Sequence, residues 1–262
     1  MVTSAENRFS DRVENYVKYR PYYPQGVVDL LLNEGYIQPG AIIADIGSGT
    51  GISAQLFLKN NCKVIGVEPN EAMRSAAEQL LVSDLENGSF TSIPANAEHT
   101  GIADHSVDLV LAAQAFHWFD KDKFRAECQR ILKPGASIVL VWNDRKTDTT
   151  DFLKLYEEFL QMFASDYKEV NHKNFQDKKV FDAFFGTGNY KEFVLPNYQD
   201  VDLLGLRGRV LSSSYMPNEN HPDYNHMMYV LRKIYQRYQE NNKVRLDYDT
   251  RIYIGTSKAS NT

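Results

Sequence analysis

A short apolar run, Ala41-Ile42-Ile43-Ala44-Asp45-Ile46, breaks directly into Gly47-Ser48-Gly49-Thr50-Gly51 and then into the helical spacing of Ile52–Lys59. A run this short without polar alternation is the pattern of a strand buried on both faces, as in a parallel sheet covered by helices. Glycines at its end let the backbone take positive φ and let a ligand approach closely. The helix N-terminus that follows favours an anionic group.

The alternation continues. Strand Lys63–Glu68, helix Glu71–Leu81, strands near Ser89–Ile93 and Val107–Ala113, helix Lys121–Leu132 and strand Ala136–Trp142 succeed one another, with Lys133-Pro134-Gly135 closing the last helix. Such alternation implies a parallel sheet wound by right-handed crossovers. Upstream, a polar segment from about Arg8 to Lys18 leads into two prolines, and Val27, Val28, Leu31 and Leu32 mark a short helix ending at Gly35. The last third changes character: helices at Phe152–Phe163, Asp202–Gly208 and Tyr224–Tyr238, a short strand Tyr190–Leu195, and strict alternation from Val244 to Ile254. With no repeat and no linker, the 262 residues read as one domain: a cap segment over 1–35, a cofactor-binding core over 36–144, and lid helices with the last strands over 145–262.

Composition narrows the partners. A hydrophobic share of 43% suffices for a buried core, and 34 acidic against 29 basic residues (net charge −5) argue against nucleic-acid and membrane-surface binding. Two cysteines without metal-ligand spacing argue against a disulfide scaffold and a zinc site, and no metal is expected. Neither a signal-peptide core nor 18 consecutive apolar residues occur, so the expected location is the cytoplasm.

The glycine loop admits two ligands. Gly49-Thr50-Gly51-Ile52-Ser53-Ala54 satisfies the dinucleotide pattern G-x-G-x-x-A, and Glu68 closes the next strand where a carboxylate would grip ribose hydroxyls. That matching frame starts two residues late, however, and the frame from Gly47 puts Ile52 where Gly or Ala belongs. Asp45 would repel a pyrophosphate but suits a ligand carrying an α-amino group.

Taken together, the Asp45–Gly51 loop, Val67-Glu68-Pro69-Asn70, Asn96-Ala97-Glu98, Gln114-Ala115-Phe116-His117-Trp118-Phe119-Asp120, Leu132-Lys133-Pro134-Gly135 and the upstream Tyr19-Arg20-Pro21-Tyr22-Tyr23-Pro24 resemble a class I S-adenosylmethionine (SAM) methyltransferase. More narrowly, they are similar to the small-molecule group that includes the trans-aconitate methyltransferases. The resemblance spans the chain to about Asp144, and Asp249–Gly255 fits more loosely. It implies a Rossmann-like, doubly wound α/β sheet of seven strands in order 3-2-1-4-5-7-6, strand 7 antiparallel, with a helical lid. The order reverses between strands 1 and 4, and ligands bind outside the carboxyl ends at such a point.

The resemblance also implies roles. Asp45 with Gly47, Ser48, Gly49 and Gly51 would hold the methionine part of SAM, and Arg20 its carboxylate. Glu68, followed by Pro69, would take the ribose. Met73, Asn96, Ala97 and Glu98 would meet the adenine, with Gln114 also at the cofactor. Tyr22, Tyr23, Phe116 and Trp118 would form an aromatic substrate wall beside His117.

Methyl transfer to a carboxylate is an in-line displacement that gains from alignment and water exclusion and needs no base. A hydroxyl or amine acceptor would need one, and His117 is the nearest candidate. The expected function is therefore SAM-dependent methylation of a small molecule, with Trp118 and His117 at the reacting centre and a carboxylate as favoured acceptor. A hydroxyl, amine or carbon acceptor, or SAM binding without catalysis, are the alternatives. The lid arginines Arg145, Arg207 and Arg209 are available to an acidic substrate. The Asn/Asp-Pro-Pro-aromatic motif of DNA amino-methyltransferases and the acidic ligands of the catechol type are both missing.

Overall fold

The computed structural model describes residues 13–164 and 178–256; the start of the polar segment at Arg8 lies outside them. Helices α1 (Val13–Tyr19) and α2 (Gly26–Asn33) lead into β1 (Ile42–Ile46), α3 (Ile52–Leu58), β2 (Lys63–Val67), α4 (Glu71–Leu80), α5 (Val82–Glu86) and β3 (Phe90–Ile93). Then come β4 (Val107–Ala113), α6 (Lys121–Ile131), β5 (Leu132–Arg145), α7 (Asp151–Phe163), α8 (Lys178–Phe185), β6 (Tyr190–Val201), α9 (Leu203–Leu211), α10 (Tyr224–Tyr238) and β7 (Val244–Thr256). The seven strands form one sheet in the order 3-2-1-4-5-7-6. The first five pair in parallel, while β7 runs antiparallel to both β5 and β6.

Side-chain caps explain where several helices start. The side chains of Asn70, Thr150 and Asp202 accept the backbone N–H groups of Met73, Leu153 and Gly205, ahead of α4, α7 and α9. The apolar strands are buried on both faces. Phe116, Phe124, Trp142 and Phe181 fill one side of the sheet, and Val28, Leu31, Phe57 and Phe90 the other. A third core joins α7, α9 and α10 to the Val244–Tyr248 end of β7. Among the described residues no helix is long and apolar enough to cross a membrane.

Some elements differ from the sequence reading. Strand β5 continues past Trp142 to Arg145 because the antiparallel β7 goes on pairing with Asn143, Asp144 and Arg145 beyond the end of β4. Strand β6 runs to Val201 through Pro196, tolerated because β6 is the sheet edge and the missing N–H costs no ladder bond there. Helices α5 and α8 and the 3-10 turn Phe116–Trp118 are additional, and α5 and the 3-10 turn are too short to show a period.

Candidate active site

Strand β1 ends at Ile46, and the loop beyond it takes φ of 69° at Gly47, 55° at Gly49 and 82° at Gly51. A Cβ at Gly47 would stand 2.6 Å from that of Ala115, so the loops leaving β1 and β4 close on each other there. The Val67 carbonyl accepts the N–H groups of Gly47 (2.8 Å) and Ser48 (3.1 Å). Glu68, one residue past β2, reaches across: its carboxylate accepts the Gly49 N–H at 3.0 Å and the Asn70 N–H at 2.9 Å. Gly51 has a different job. It caps α3 in the left-handed region and packs on Leu81 and Ala77, away from the cavities described below.

The opposite wall leaves β4. Gln114 is itself left-handed (φ 57°), donates its N–H to the Val141 carbonyl, and carries a buried Oε1 without a hydrogen-bond partner. A three-residue 3-10 turn follows and splits its aromatics. Phe116 is 0% exposed and packs on Phe124, Trp142 and Phe184, so it belongs to the core and not to the expected substrate wall. His117 and Trp118 face the other way, their rings 4.8 Å apart.

Between these walls lie two adjoining cavities of about 120 and 200 Å³. Tyr16, Gly47, Gly49, Ala113, Gln114 and Trp118 border both. The larger takes in Glu68 and Pro69, then Met73 and the Asn96-Ala97-Glu98 turn, which places two carboxylates, Glu68 and Glu98, around a mostly apolar floor. The smaller takes in Arg20, Tyr23, Ser48, Ser53 and His117, with Asn143, Ser214 and Tyr215 across from them. Arg20 donates to the Ser212 carbonyl at 2.8 Å and lies over the Tyr16 ring at 4.7 Å. Burial, followed by the charge of Arg209, lowers its pKa.

Two more expectations need correction. Asp45 is fully buried but borders neither cavity; its Oδ2 accepts the Ser53 hydroxyl at 2.6 Å, and it is Ser53 that reaches the cavity. Among the described residues its Oδ1 has no hydrogen-bond partner, and burial pushes the carboxyl up to about 7. Tyr22 is 52% exposed and offers only its carbonyl, to the amides of Asn143 and Asn197. Successive side chains of an extended segment point oppositely, so the inward place goes to Tyr23. Tyr16, Ser53, Asn143, Ser214 and Tyr215 escape the sequence reading. Only Ser53, next to the glycine loop, carries a local signal.

A donor with an adenosine end and an amino-acid end suits this pair of cavities. Gln114 lines both, and the larger one offers carboxylates and an apolar floor, as an adenosine requires.

Comparison with known proteins agrees with the geometry. Residues 44–140 match the model of a methyltransferase domain. An uncharacterised methyltransferase-like protein of Schizosaccharomyces pombe is 28% identical over 249 residues, 94% of this chain and 93% of that one. An uncharacterised methyltransferase of Mycobacterium tuberculosis is 33% identical over 139 residues, and the match spans about half of each chain (52% of both). Among solved structures, a provisionally assigned type II methyltransferase from Anaeromyxobacter dehalogenans superposes with a TM-score of 0.66 at 23% identity, over 91% of this chain and 98% of that one. A sheet of this order, a methyltransferase domain across its parallel half and a methyltransferase-like relative alike along nearly the whole chain support the reading of a SAM-dependent methyltransferase.

Proposed function

We propose that the enzyme methylates a carboxylate of a small acid, forming a methyl ester. The carrying observation is the make-up of the smaller cavity. Among the described residues it is lined by an arginine, a histidine, phenols, hydroxyls and amides, with no Asp, Glu, Lys or Cys. A wall without a carboxylate base suits an acceptor that is already ionised. A methyltransferase of Coxiella burnetii, 29% identical over 56% of this chain, methylates an oxygen of malonyl-acyl-carrier protein and lends the reading some support.

In this reading Glu68 turns from the Gly49 and Asn70 amides toward the ribose hydroxyls. Met73, Asn96, Ala97 and Glu98 hold the adenine, with Pro69 beside them. The Gly47–Gly49 backbone and Ser48 seat the methionine part, and Arg20 holds its carboxylate. Asp45 acts from behind by orienting Ser53. SAM when bound supplies an electrophilic methyl carbon; a carboxylate oxygen takes it as the carbon–sulfur bond breaks, leaving S-adenosylhomocysteine and the ester with no proton moved. Gln114 and Trp118 stand at the junction where donor and acceptor meet. Alignment of this kind contributes about 7–11 kcal/mol in favourable cases, and Trp118 adds about 0.5–2 kcal/mol by facing the sulfonium. The helices of 145–262 cover the acceptor, and His117 is part of the wall.

The test is transfer of a labelled methyl group from SAM to a panel of small acids, phenols and amines, followed by mild base. Label released as methanol identifies an ester and supports the reading. A base-stable product overturns it in favour of a hydroxyl, amine or carbon acceptor, and turnover should then collapse in His117→Gln.

A further inference from the structure

The three lid arginines singled out in the sequence have different fates. Arg145 pairs with Glu157 and lies over the Tyr156 ring. Arg207 is exposed and pairs with Glu219 and the Tyr224 hydroxyl. Arg209 alone meets no carboxylate among the described residues. Its contacts are neutral and long: Tyr248 Oη at 3.4 Å, Ser213 Oγ at 3.3 Å and Ser212 Oγ at 3.5 Å. Ordinary N–H···O bonds centre near 2.9–3.0 Å, so its donors keep capacity for a stronger acceptor.

Arg20 bonds to the carbonyl of that same Ser212, and its charge and that of Arg209 act on each other. Tyr16, Tyr215 and Tyr248 surround the pair, and among the described residues neither guanidinium has an acidic partner. Two half-buried cations together, without a counter-charge, are unfavourable unless anions come with the ligands. The donor brings a single carboxylate, which leaves one positive charge over.

We propose that Arg209 is the specificity-determining residue for the acceptor, reaching its anionic group from behind the cavity wall formed by Ser214 and Tyr215, while Arg20 serves the donor's carboxylate. This rests on the methyltransferase reading above and assigns the two cations to two different ligands. A guanidinium offers a planar fork matched to a carboxylate, which a neutral isostere of the acid does not engage.

The experiment uses the full chain loaded with S-adenosylhomocysteine, titrated calorimetrically with glutarate, tricarballylate and benzoate and with their neutral amides. Wild-type protein should bind at least one acid and discriminate against its amide. Arg209→Gln should weaken the acid about ten- to a hundredfold, the range of a lost charge-assisted bond. Arg209→Lys should recover part of the loss, and both variants should keep S-adenosylhomocysteine affinity within about twofold. A decarboxylated S-adenosylhomocysteine analogue separates the two anions: Arg20→Gln should abolish the preference for the carboxylated form, and Arg209→Gln should preserve it. Acid binding unchanged in Arg209→Gln overturns the proposal. So does loss of the donor-carboxylate preference in Arg209→Gln, and so does a loaded wild-type protein that binds none of the acids. Failure of the ester reading itself shows separately, as a base-stable product of the wild-type enzyme.

Discussion

The ring of Tyr19, at the end of α1, occupies the space where a side chain on Gly208 of α9 would begin. The two helices touch backbone to ring, and the next residue on each, Arg20 and Arg209, is thereby drawn toward the other, with Arg20 bordering the smaller cavity and Arg209 behind it. Gly208→Ala should therefore pry α1 from α9. In an unconstrained helix this change stabilises by about 1 kcal/mol; here overpacking should instead cost about 1–3 kcal/mol. A lowered melting temperature with weakened S-adenosylhomocysteine binding is the expected result, and a raised one would show that the contact yields.

Glu68 accepts two backbone N–H groups across the loop, and charged hydrogen bonds are worth about 1.5–3 kcal/mol each. Glu68→Ala should weaken S-adenosylhomocysteine at least about tenfold while the far-ultraviolet circular dichroism stays unchanged. Calorimetric titration of the variant checks this, and unaltered affinity would remove Glu68 from the donor site.

Trp118 borders both cavities and is 38% exposed, so little of the core depends on it. Trp118→Ala should lower kcat about threefold to thirtyfold, the equivalent of roughly 0.5–2 kcal/mol. Donor affinity should change less than kcat does. Steady-state kinetics beside a binding titration separate the two effects.

Asp45 gives a pH signature. Its folded carboxyl titrates at about 7 because of burial, against roughly 3.9 in an unfolded chain. The folded protein thus holds a proton that the unfolded chain has released, and stability falls as pH rises between these two values. The slope is about 1.4 kcal/mol per pH unit. Asp45→Asn cannot lose this proton and should flatten that slope. Urea unfolding of both proteins at pH 5 and pH 8 measures it, and parallel pH profiles would show that Asp45 does not titrate there.

Much of the glycine-loop side of the crevice was legible because its geometry is local. Positive φ at Gly47 and Gly49 demands glycine, β1 must be apolar to lie inside a parallel sheet, and Glu68 sits one residue past the neighbouring strand. The parallel pairing of β1 with β2 then brings Glu68 against Gly49, nineteen positions earlier in the chain. The aromatic wall was less legible. Tyr22 and Tyr23 are chemically alike neighbours, as are Phe116 and Trp118, and the direction of an extended segment or a single 3-10 turn decides which of each pair borders the cavities.

The sequence by itself determined the winding of the sheet, the glycine loop and the carboxylate that closes the next strand, since each follows from backbone demands within a few residues. Only the tertiary structure decided which of the three arginines Arg145, Arg207 and Arg209 meets no acid among the described residues. Arg145, Arg207 and Arg209 share one chemistry, and their partners Glu157, Glu219 and Ser213 follow from how α7, α9 and the segment after it pack. The meeting of Arg20 with Ser212 spans 192 positions. No local rule encodes it, because it is settled by the burial of Tyr19 against Gly208 as the two ends of the chain close over the sheet.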